Sequence, residues 1–425
     1  ANDIAWDFAV FILPALRISP GQFGSLALPA GVVSAAFTVL AAGSVAHALD
    51  RPRVLGVALI FAALVVGLEA LIFKYEAFML GLFVLAIPHS ITMPCVVSLL
   101  HDTIPTPYVA LSIGLVSSAS MFADSFGTFV SSRVREDVRL GMFVIAALSL
   151  GPVLPLLVCI REPAKTGARS ARALWFRALR TQLDLVRAFA GCPSLLLLAC
   201  VAALQGWGTA ADNFSQQWIA SERGVDKETT SQQFSLMLLG GVLGFALSGA
   251  VSDALHARYG VKHFTCAAAF LALDVTVQLV ATWVPAPPHP AFWPVQYLNY
   301  AVNLAFIGPF LAGVSMLSTD RVRSTLIALP LAGITLSVSV GTKVGGDWAD
   351  NLYSSGTQTP LTTILRWYTC IESLAIPALI AMSCLFDRHR KFLTSALQGT
   401  EAEEEDVTSA TLTVPLGATC DNSIQ

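Results

Sequence analysis

The sequence predicts an all-α membrane protein of about twelve transmembrane helices, arranged in two related six-helix halves. Its composition excludes an ordinary water-soluble domain, because only 12% of the 425 residues are charged, 55% are apolar and the mean hydropathy is +0.68. Long apolar runs follow one another along most of the chain. Two short polar segments of similar pattern interrupt these runs about two hundred residues apart, which indicates an internal duplication.

The apolar runs have the lengths of membrane-spanning helices. A hydrocarbon core of about 30 Å requires roughly 20 apolar residues in a helix. The runs lie at 3–16, 22–48, 53–73, 77–100, 107–131, 139–160, 193–219, 231–254, 262–284, 292–317, 324–347 and 363–386. Because the first run is too short to span comfortably, we expect helix one to be truncated. Prolines inside the runs are compatible with membrane helices, since neighbouring helices can satisfy the freed backbone groups.

Lysine and arginine are distributed unevenly between the two sides that the alternating runs define. If residues 49–53 are cytoplasmic, sixteen basic residues fall on the cytoplasmic side and seven on the opposite side. Cytoplasmic loops of membrane proteins carry an excess of basic residues. The sequence therefore predicts a multi-pass membrane protein with both termini in the cytoplasm.

The hydrophilic segments divide the chain into four regions. We expect an N-terminal transmembrane half at 1–160 and a C-terminal transmembrane half at 193–386. The loop between them, 161–192, has seven basic and two acidic residues, with apolar residues at helical spacing. It is interpreted either as an amphipathic helix on the anionic lipids of the inner leaflet or as a plain linker. The acidic tail at 387–425 is expected to be disordered and cytoplasmic.

The two polar segments share one pattern, an aspartate at the end of one run and basic residues at the start of the next. In the first segment, after the second run, the charged residues are Asp50, Arg51 and Arg53. The second segment begins at the end of the eighth run. Its matching residues are Gly249, Ser252, Asp253, Arg258 and Gly260.

This pattern resembles the signature of the major facilitator superfamily, roughly Gly-x-Leu-Ala-Asp-Arg-x-Gly-Arg, in the loop between helices two and three. Ala46 replaces the glycine here and the first copy is shorter around Pro52, so the second copy is the more faithful. Two copies in equivalent loops, within a twelve-run chain, extend the resemblance from residue 1 to about residue 390. It implies the fold of that family, with two halves that rock around a site at the membrane midplane.

The resemblance also implies a role for the motif as a cytoplasmic gate. An aspartate at a helix end can pair with arginines or with the positive N-terminus of a neighbouring helix. Such a contact would hold the halves together in one conformation and release them in another. The alternative is that Asp50 and Arg51 are interfacial charges that follow the positive-inside rule.

Two departures from the family weaken a proton-antiport interpretation. Many proton-coupled members have an arginine early in helix four, where this sequence has Leu82, and the glycine-proline signature of helix five is absent from 107–131. Facilitated uniport, or coupling through another residue, becomes more plausible.

Charged residues at membrane depth are costly, so each one is a candidate site residue. By resemblance, runs one, two, four and five and runs seven, eight, ten and eleven line a central cavity. Asp212 in the seventh run lies in a polar and aromatic cluster with Gln205 and Gln216. This cluster could bind a polar or cationic solute, or it could lie at the outer membrane surface, where such residues also gather.

Lys343 in the eleventh run is a candidate for binding an anionic group of a solute. Alternatively, it neutralises an aspartate such as Asp124 in the fifth run or Asp347. His89 in the fourth run is either a proton-linked switch or a hydrogen-bonded residue of the bundle.

Gln296, Asn299 and Asn303 of the tenth run share a helix face, which suits sugars, peptides and other neutral or zwitterionic solutes. Acidic residues in the peripheral runs three, nine and twelve are interpreted as packing or interface residues. These are Glu69, Asp274 and Glu372.

The sequence therefore predicts a transporter that moves a small organic solute by alternating access, as a uniporter or with a coupling ion such as a proton. The alternative is a transporter-like membrane receptor or partner-binding protein without transport activity. No ATP-binding loop, nucleophile and base pattern or metal-ligand spacing is present, and the eight cysteines imply no disulfide framework. We expect a monomeric non-enzyme without cofactor or metal, with lipid and solute but no nucleic acid as partners.

Overall fold

The structure is a computed structural model that describes residues 19–38, 50–72, 75–134, 137–160, 193–317, 323–388 and 390–391. These ranges contain helices and connecting turns and no strand. The helices are α1 (Pro20–Phe37), α2 (Arg51–Leu71), α3 (Tyr75–Thr103), α4 (Val109–Val134), α5 (Val138–Ser149), α6 (Val153–Cys159), α7 (Pro193–Glu222), α8 (Lys227–Tyr259), α9 (His263–Trp283), α10 (Phe292–Val302), α11 (Ile307–Leu317), α12 (Arg323–Ser354), α13 (Pro360–Ser373) and α14 (375–388).

The predicted membrane-spanning runs are helical wherever the structure describes them. Ten helical segments of the described ranges are long and apolar enough to cross a membrane, and a shorter apolar helix, Gly24–Phe37, corresponds to the second run. The protein is thus an integral multi-pass membrane protein, and the predicted all-α class is confirmed. The first run at 3–16, the loop at 161–192 and residues 392–425 of the tail lie outside the described residues, so the count of twelve stays a prediction.

Three runs that the sequence predicts as single helices are interrupted. The run 139–160 divides into α5 and α6 before Pro152, which has no backbone N–H to continue a helix. The run 292–317 divides into α10 and α11 at residues 303–306, where Leu304 has a φ of 58°. The run 363–386 divides into α13 and α14 at Leu374. Each of these runs still forms one candidate membrane span, and the interruptions are local breaks that an apolar composition does not report.

Aspartates fix the starts of several helices. Asp50 accepts a hydrogen bond from the N–H of Arg53 at the start of α2, and Asp226 accepts one from Thr229 at the start of α8, at 3.3 and 2.8 Å. Both are N-cap contacts, which satisfy a backbone donor that the helix leaves free. The hydrogen bonds from Thr229 hold the pKa of Asp226 below its ordinary value. Gly260, with a φ of 66°, ends α8 in the left-handed conformation and permits the tight turn into α9.

The helix ends lie at two faces of the bundle. We call the end that holds Asp50, Asp253 and the start of α9 the Asp50 face, and the end that holds Ser19, Asp226 and the end of α12 the opposite face. Many apolar side chains between these faces point outward, such as Val57 at 65% and Leu243 at 64% exposure. Such outward apolar surface suits a protein whose solvent is lipid.

Two antiparallel helix pairs join the region before residue 160 to the region after residue 193. The first pair, α4 with α8, is the α4–α8 seam. Serine hydroxyls donate across it to backbone carbonyl oxygens of the other helix at 2.7–3.1 Å, namely Ser118 to Val242, Ser125 to Ser235, Ser235 to Ser125 and Ser231 to Thr128. These contacts lie between residues 118–128 of α4 and residues 231–242 of α8.

The second pair, α1 with α12, is the α1–α12 seam. It is built on glycines of α1 that allow the two backbones to approach closely. A Cβ added at Gly24 would lie only 2.6 Å from the carbonyl oxygen of Thr342 and 2.7 Å from Cα of Lys343. Gly31 lies against the side chain of Ser339, and an added Cβ there would lie 3.3 Å from the carbonyl oxygen of Thr335. Small residues at such crossings let membrane helices pack through their backbones.

Candidate functional site

The first copy of the motif lies at the start of α2. Besides its cap to α2, Asp50 lies 3.2 Å from Nε of Arg53, whose side chain is exposed. Arg51 is buried and donates to Asp102 of α3 at 2.7 Å and to Ser98 at 3.0 Å. Asp50 therefore caps its own helix, and Arg51 connects α2 to α3 within one half.

In the second copy, Asp253 of α8 contacts the other half. Its Oδ1 accepts a hydrogen bond from the N–H of Ala110 at 3.3 Å, and its Oδ2 accepts one from Leu111 at 2.8 Å. Both donors belong to the first turn of α4, where N–H groups lack helical partners and the helix dipole favours a negative charge. Gly249, one turn earlier, leaves room for this approach, since an added Cβ would lie 2.8 Å from Cα of Leu111. We name this the Asp253 contact.

Histidines and basic side chains line a cavity of about 270 Å³ at the Asp50 face, beside the Asp253 contact. His263 connects this cavity to the contact, because its Nδ1 lies 2.7 Å from the hydroxyl of Ser252 and its Nε2 lies 4.0 Å from Asp253. Arg258, the basic residue of the second copy, is exposed and its guanidinium lies 5.4 Å from the centre of the Tyr259 ring. The structure therefore brings Asp253 and Gly249 to the other half and leaves Arg258 at the surface.

A second carboxylate contact between the halves lies at the opposite face, and sequence reasoning did not identify it. Asp350 of α12 accepts hydrogen bonds from the hydroxyl of Ser19 at 2.8 Å and from the N–H of Gly21 at 3.1 Å. Ser19 and Gly21 form the N-terminus of α1, so this contact joins a carboxylate to one N–H group and one hydroxyl of the other half. We name it the Asp350 contact. The spaced glycines of α1 are the signal that could have located it.

The interior of the C-terminal region contains three carboxylates on three helices. Asp212 of α7 accepts a hydrogen bond from Nδ2 of Asn303 at 2.9 Å. Asp274 of α9 and Glu372 of α13 are buried, and Glu372 lies against Gly208 of α7. The sequence interpretation of Asp274 and Glu372 as peripheral packing residues did not foresee their place beside the Asp212 helix.

The predicted amide residues are buried in the same region but do not form one continuous row. Gln205 and Gln216 of α7 and Asn299 of α10 each bury a side-chain oxygen that has no hydrogen-bond partner. Gln296 donates to the carbonyl oxygen of Ala281 on α9 at 3.2 Å. Because α10 ends before Asn303, the predicted face shared by Gln296, Asn299 and Asn303 is not one helix surface.

The other candidates lie in several places. Lys343 forms an ion pair with Asp347, one turn later in α12, which selects one of its two predicted aspartate partners. Asp124 of α4 and His89 of α3 are half-buried. The structure does not assemble these three residues into one cluster with Asp212. Across the described ranges, no group of three or more histidine, cysteine or acidic residues is arranged to hold a metal ion.

The sequence matches no protein-family model and none of the curated proteins with which it was compared. Solved structures do resemble it. A bacterial homologue of the human lysosomal transporter Spinster, in an inward-facing and unoccupied conformation, aligns with a TM-score of 0.60 at 14% identity over 93% of this chain and 94% of its own. The nucleoside transporter NupG aligns with a TM-score of 0.61 at 15% identity over 90% of this chain and 95% of its own.

The human organic anion transporter MFSD10 (TETRAN) aligns with a TM-score of 0.59 at 17% identity, over 88% of this chain and 89% of its own. These structural neighbours are transporters and not enzymes. At such identities the likeness shows the fold alone, over nearly the whole length of each chain. The chain therefore has the predicted major facilitator fold.

Proposed function

We propose that the protein is a secondary transporter that moves a small organic solute across a membrane by alternating access. One observation carries this proposal most directly: carboxylate contacts join the two halves at both faces of the bundle, through Asp253 at one and Asp350 at the other. Opening either contact while the other holds would expose the interior to one side at a time. The transporter fold of the structural neighbours supports the same conclusion.

The strength of these contacts suits a reversible gate. A charge at a helix N-terminus contributes about 0.3–1 kcal/mol, and up to about 2 kcal/mol when partly buried. Conformations of a protein that differ by a few kcal/mol can exchange on binding a ligand. Neither contact alone is strong enough to lock the halves permanently.

The proposed topology places the Asp50 face in the cytoplasm, with both termini there. The basis is the excess of lysine and arginine on that side of the sequence. The halves would comprise 1–160 and 193–386 in one monomer. The basic loop 161–192, with anionic lipids as its partner, and the tail 387–425 would both be cytoplasmic.

We further propose that the solute is neutral or zwitterionic and rich in N–H and O–H donors. Buried polar atoms are normally hydrogen-bonded, and here the unpartnered ones of Gln205, Gln216 and Asn299 are all acceptor oxygens. A solute that donates to them would satisfy them, whereas an anion would not. Of the substrates named for the structural neighbours, a nucleoside fits this requirement better than an organic anion.

The proposal is tested with purified protein and a panel of nucleosides, sugars, dipeptides and organic anions. Thermal-shift screening should find stabilising solutes among the donor-rich classes, since a ligand that binds the folded state raises the melting temperature. The hit should then exchange across proteoliposomes in a counterflow assay. Gln216→Leu should abolish its thermal shift, whereas the control Gln232→Leu, whose amide contacts only Glu228 on its own helix, should not.

Binding without counterflow by the folded protein would overturn the transporter proposal and favour the receptor alternative. Stabilisation by organic anions alone would overturn the proposed solute class.

A further inference from the structure

We propose that Asp212, Asp274 and Glu372 form a proton-binding site within the C-terminal half. The three carboxylates come from α7, α9 and α13, and both Asp274 and Glu372 are only 3% exposed. Proton binding at this site does not depend on which solute, if any, the protein carries. Its coupling to solute movement rests on the proposed transport function.

Close packing of α7, α9 and α13 brings the three side chains together. A side chain larger than hydrogen at Gly208 would overlap the carboxylate of Glu372, so α13 contacts α7 there. Asp212 lies one turn after Gly208, on the same face of α7. The hydroxyl of Thr369 donates to Gln278 at 2.9 Å, and since α9 and α13 are antiparallel, this contact places Glu372 opposite Asp274.

The interruption between α10 and α11 closes this cluster on its remaining side. Asn303 donates to Asp212 at 2.9 Å, and the backbone of Leu304 lies beside Asp274. Leu304 has a φ of 58°, a left-handed conformation that a leucine rarely adopts. Interrupted helices in transporters commonly supply backbone groups to ion and substrate sites.

The cluster lacks a positive charge. Oδ1 of Asp212 and Oδ1 of Asp274 are buried without a hydrogen-bond partner, and none of the three carboxylates has a basic partner in the described part of the chain. The basic groups on neighbouring helices are engaged elsewhere, with Lys343 paired to Asp347 and Arg366 bonded to Thr282.

Three ionised carboxylates at membrane depth would each cost several kcal/mol without a counter-charge. The titratable hydroxyl of Tyr300 lies beside Asp212 and supplies no positive charge, and the hydroxyl of Tyr368 donates instead to the carbonyl oxygen of Gly341 on α12 at 2.6 Å. Bound protons would neutralise these carboxylates without any counter-charge.

Asp212 is the member through which protons would exchange, since it is the only partly exposed carboxylate of the three. An ionised Asp212 accepts a stronger, charge-assisted hydrogen bond from Asn303 than a protonated one. Protonation would therefore loosen the attachment of α7 to the interruption. Beyond the interruption, Gly308 of α11 lies against the carbonyl oxygen of Ala110. A shift of α11 would therefore reach Ala110, whose N–H binds Asp253.

Infrared spectroscopy of the purified protein in nanodiscs tests the proton site directly. Protonated carboxylic acids have a carbonyl stretch that ionised carboxylates lack. We expect this band at neutral pH, and we expect Asp274→Asn and Glu372→Gln each to remove a part of it. Asp226→Asn is the matched control, because its exposed carboxylate caps α8 and asparagine is an equally good cap. Elution on size exclusion confirms that each variant folds.

If neither folded variant loses intensity in this band, the proposal is overturned. It would also be overturned by a band that sodium chloride removes at constant pH while choline chloride does not, since the site would then hold sodium. In vesicles loaded with a pH-sensitive dye, net uptake of the hit solute down its concentration gradient should carry protons in the wild type and lose this flux in Glu372→Gln. Net solute uptake without proton flux overturns the coupling and leaves transport standing. A protonated cluster without any solute exchange overturns the proposed function and leaves the proton site standing.

Discussion

The α4–α8 seam and the α1–α12 seam each pair one helix of the N-terminal half with one helix of the C-terminal half, but different groups hold them. Serine hydroxyls cross the α4–α8 seam to backbone carbonyl oxygens at several levels, and Asp253 closes it at the Asp50 face. Backbones at Gly24 and Gly31 form the α1–α12 seam, and Asp350 closes it at the opposite face. Directional hydrogen bonds hold the α4–α8 seam, whereas close packing at glycines holds the α1–α12 seam.

This difference bears on how the halves can move. Directional hydrogen bonds define a register and must break before the helices can shift along each other. Glycine contacts depend on close approach and permit small sliding movements as long as the surfaces stay in contact. In both seams the charged contact lies at one end only, so each seam can open at that end while the rest of the pair acts as a pivot.

The largest effect is expected where backbone contact is closest. Gly24→Ala would place a methyl group against the carbonyl oxygen of Thr342 and Cα of Lys343, neither of which can move freely. We expect a loss of about 1–3 kcal/mol in the free energy of unfolding, the usual cost of overpacking. Thermal unfolding in detergent measures it. Gly67→Ala is the control, since an added Cβ there meets nothing within 4 Å. Equal melting temperatures for the two variants would contradict a seam built on glycine.

A smaller effect is expected from the serines of the α4–α8 seam. Ser125→Ala removes a buried hydrogen bond to the carbonyl oxygen of Ser235, and the expected loss is about 1 kcal/mol. Ser149→Ala serves as the control, because that hydroxyl bonds only to the carbonyl oxygen of Ile145 in its own helix. If both substitutions lower the melting temperature equally, hydrogen bonding across the seam does not stabilise it.

Sequence reasoning located the membrane spans and the charged segments, because both depend on local composition. The apolar runs show the helices. The motif around Asp253 matches the family pattern more closely than the motif around Asp50, and their contacts differ in the same sense: Asp253 contacts the other half, whereas Asp50 caps its own helix. The role of these residues as a gate stays a prediction.

Contacts between distant helices could not be inferred in the same way. Asp350 and Ser19 are separated by most of the chain, and nothing in the local pattern of α12 distinguishes Asp350 from Asp347. Asp274 and Glu372 were assigned to the periphery by resemblance, which gives the order of the helices but not the direction of their side chains. The interruption at residues 303–306 lies in an apolar run, where composition alone does not reveal it.

The smallest effect is expected for a carboxylate that caps a helix within its own half. Asp226→Ala should lower the free energy of unfolding by about 0.5 kcal/mol near neutral pH, since α8 loses an exposed N-cap. The pKa of Asp226 is held below its ordinary value, so the native contact stabilises the protein above that ordinary value, about 4. Its contribution is lost as the pH falls through the lowered pKa. The difference in melting temperature between wild type and variant should therefore shrink in acid, and a difference that grows in acid would contradict this assignment.

Hydrogen–deuterium exchange of the protein in nanodiscs tests most directly whether the two carboxylate contacts close opposite faces. Asp253→Asn should speed exchange at the first turn of α4 by about tenfold, the factor for a loss of about 1.4 kcal/mol, and leave the start of α1 unchanged. Asp350→Asn should do the reverse. Asp387→Asn at the Asp50 face and Asp226→Asn at the opposite face are the controls, because Asp387 pairs with Lys262 and Asp226 caps α8, both within the C-terminal half. Two results would contradict alternating access through these contacts. One is faster exchange at both faces in a single variant, and the other is unchanged exchange at both faces in both variants.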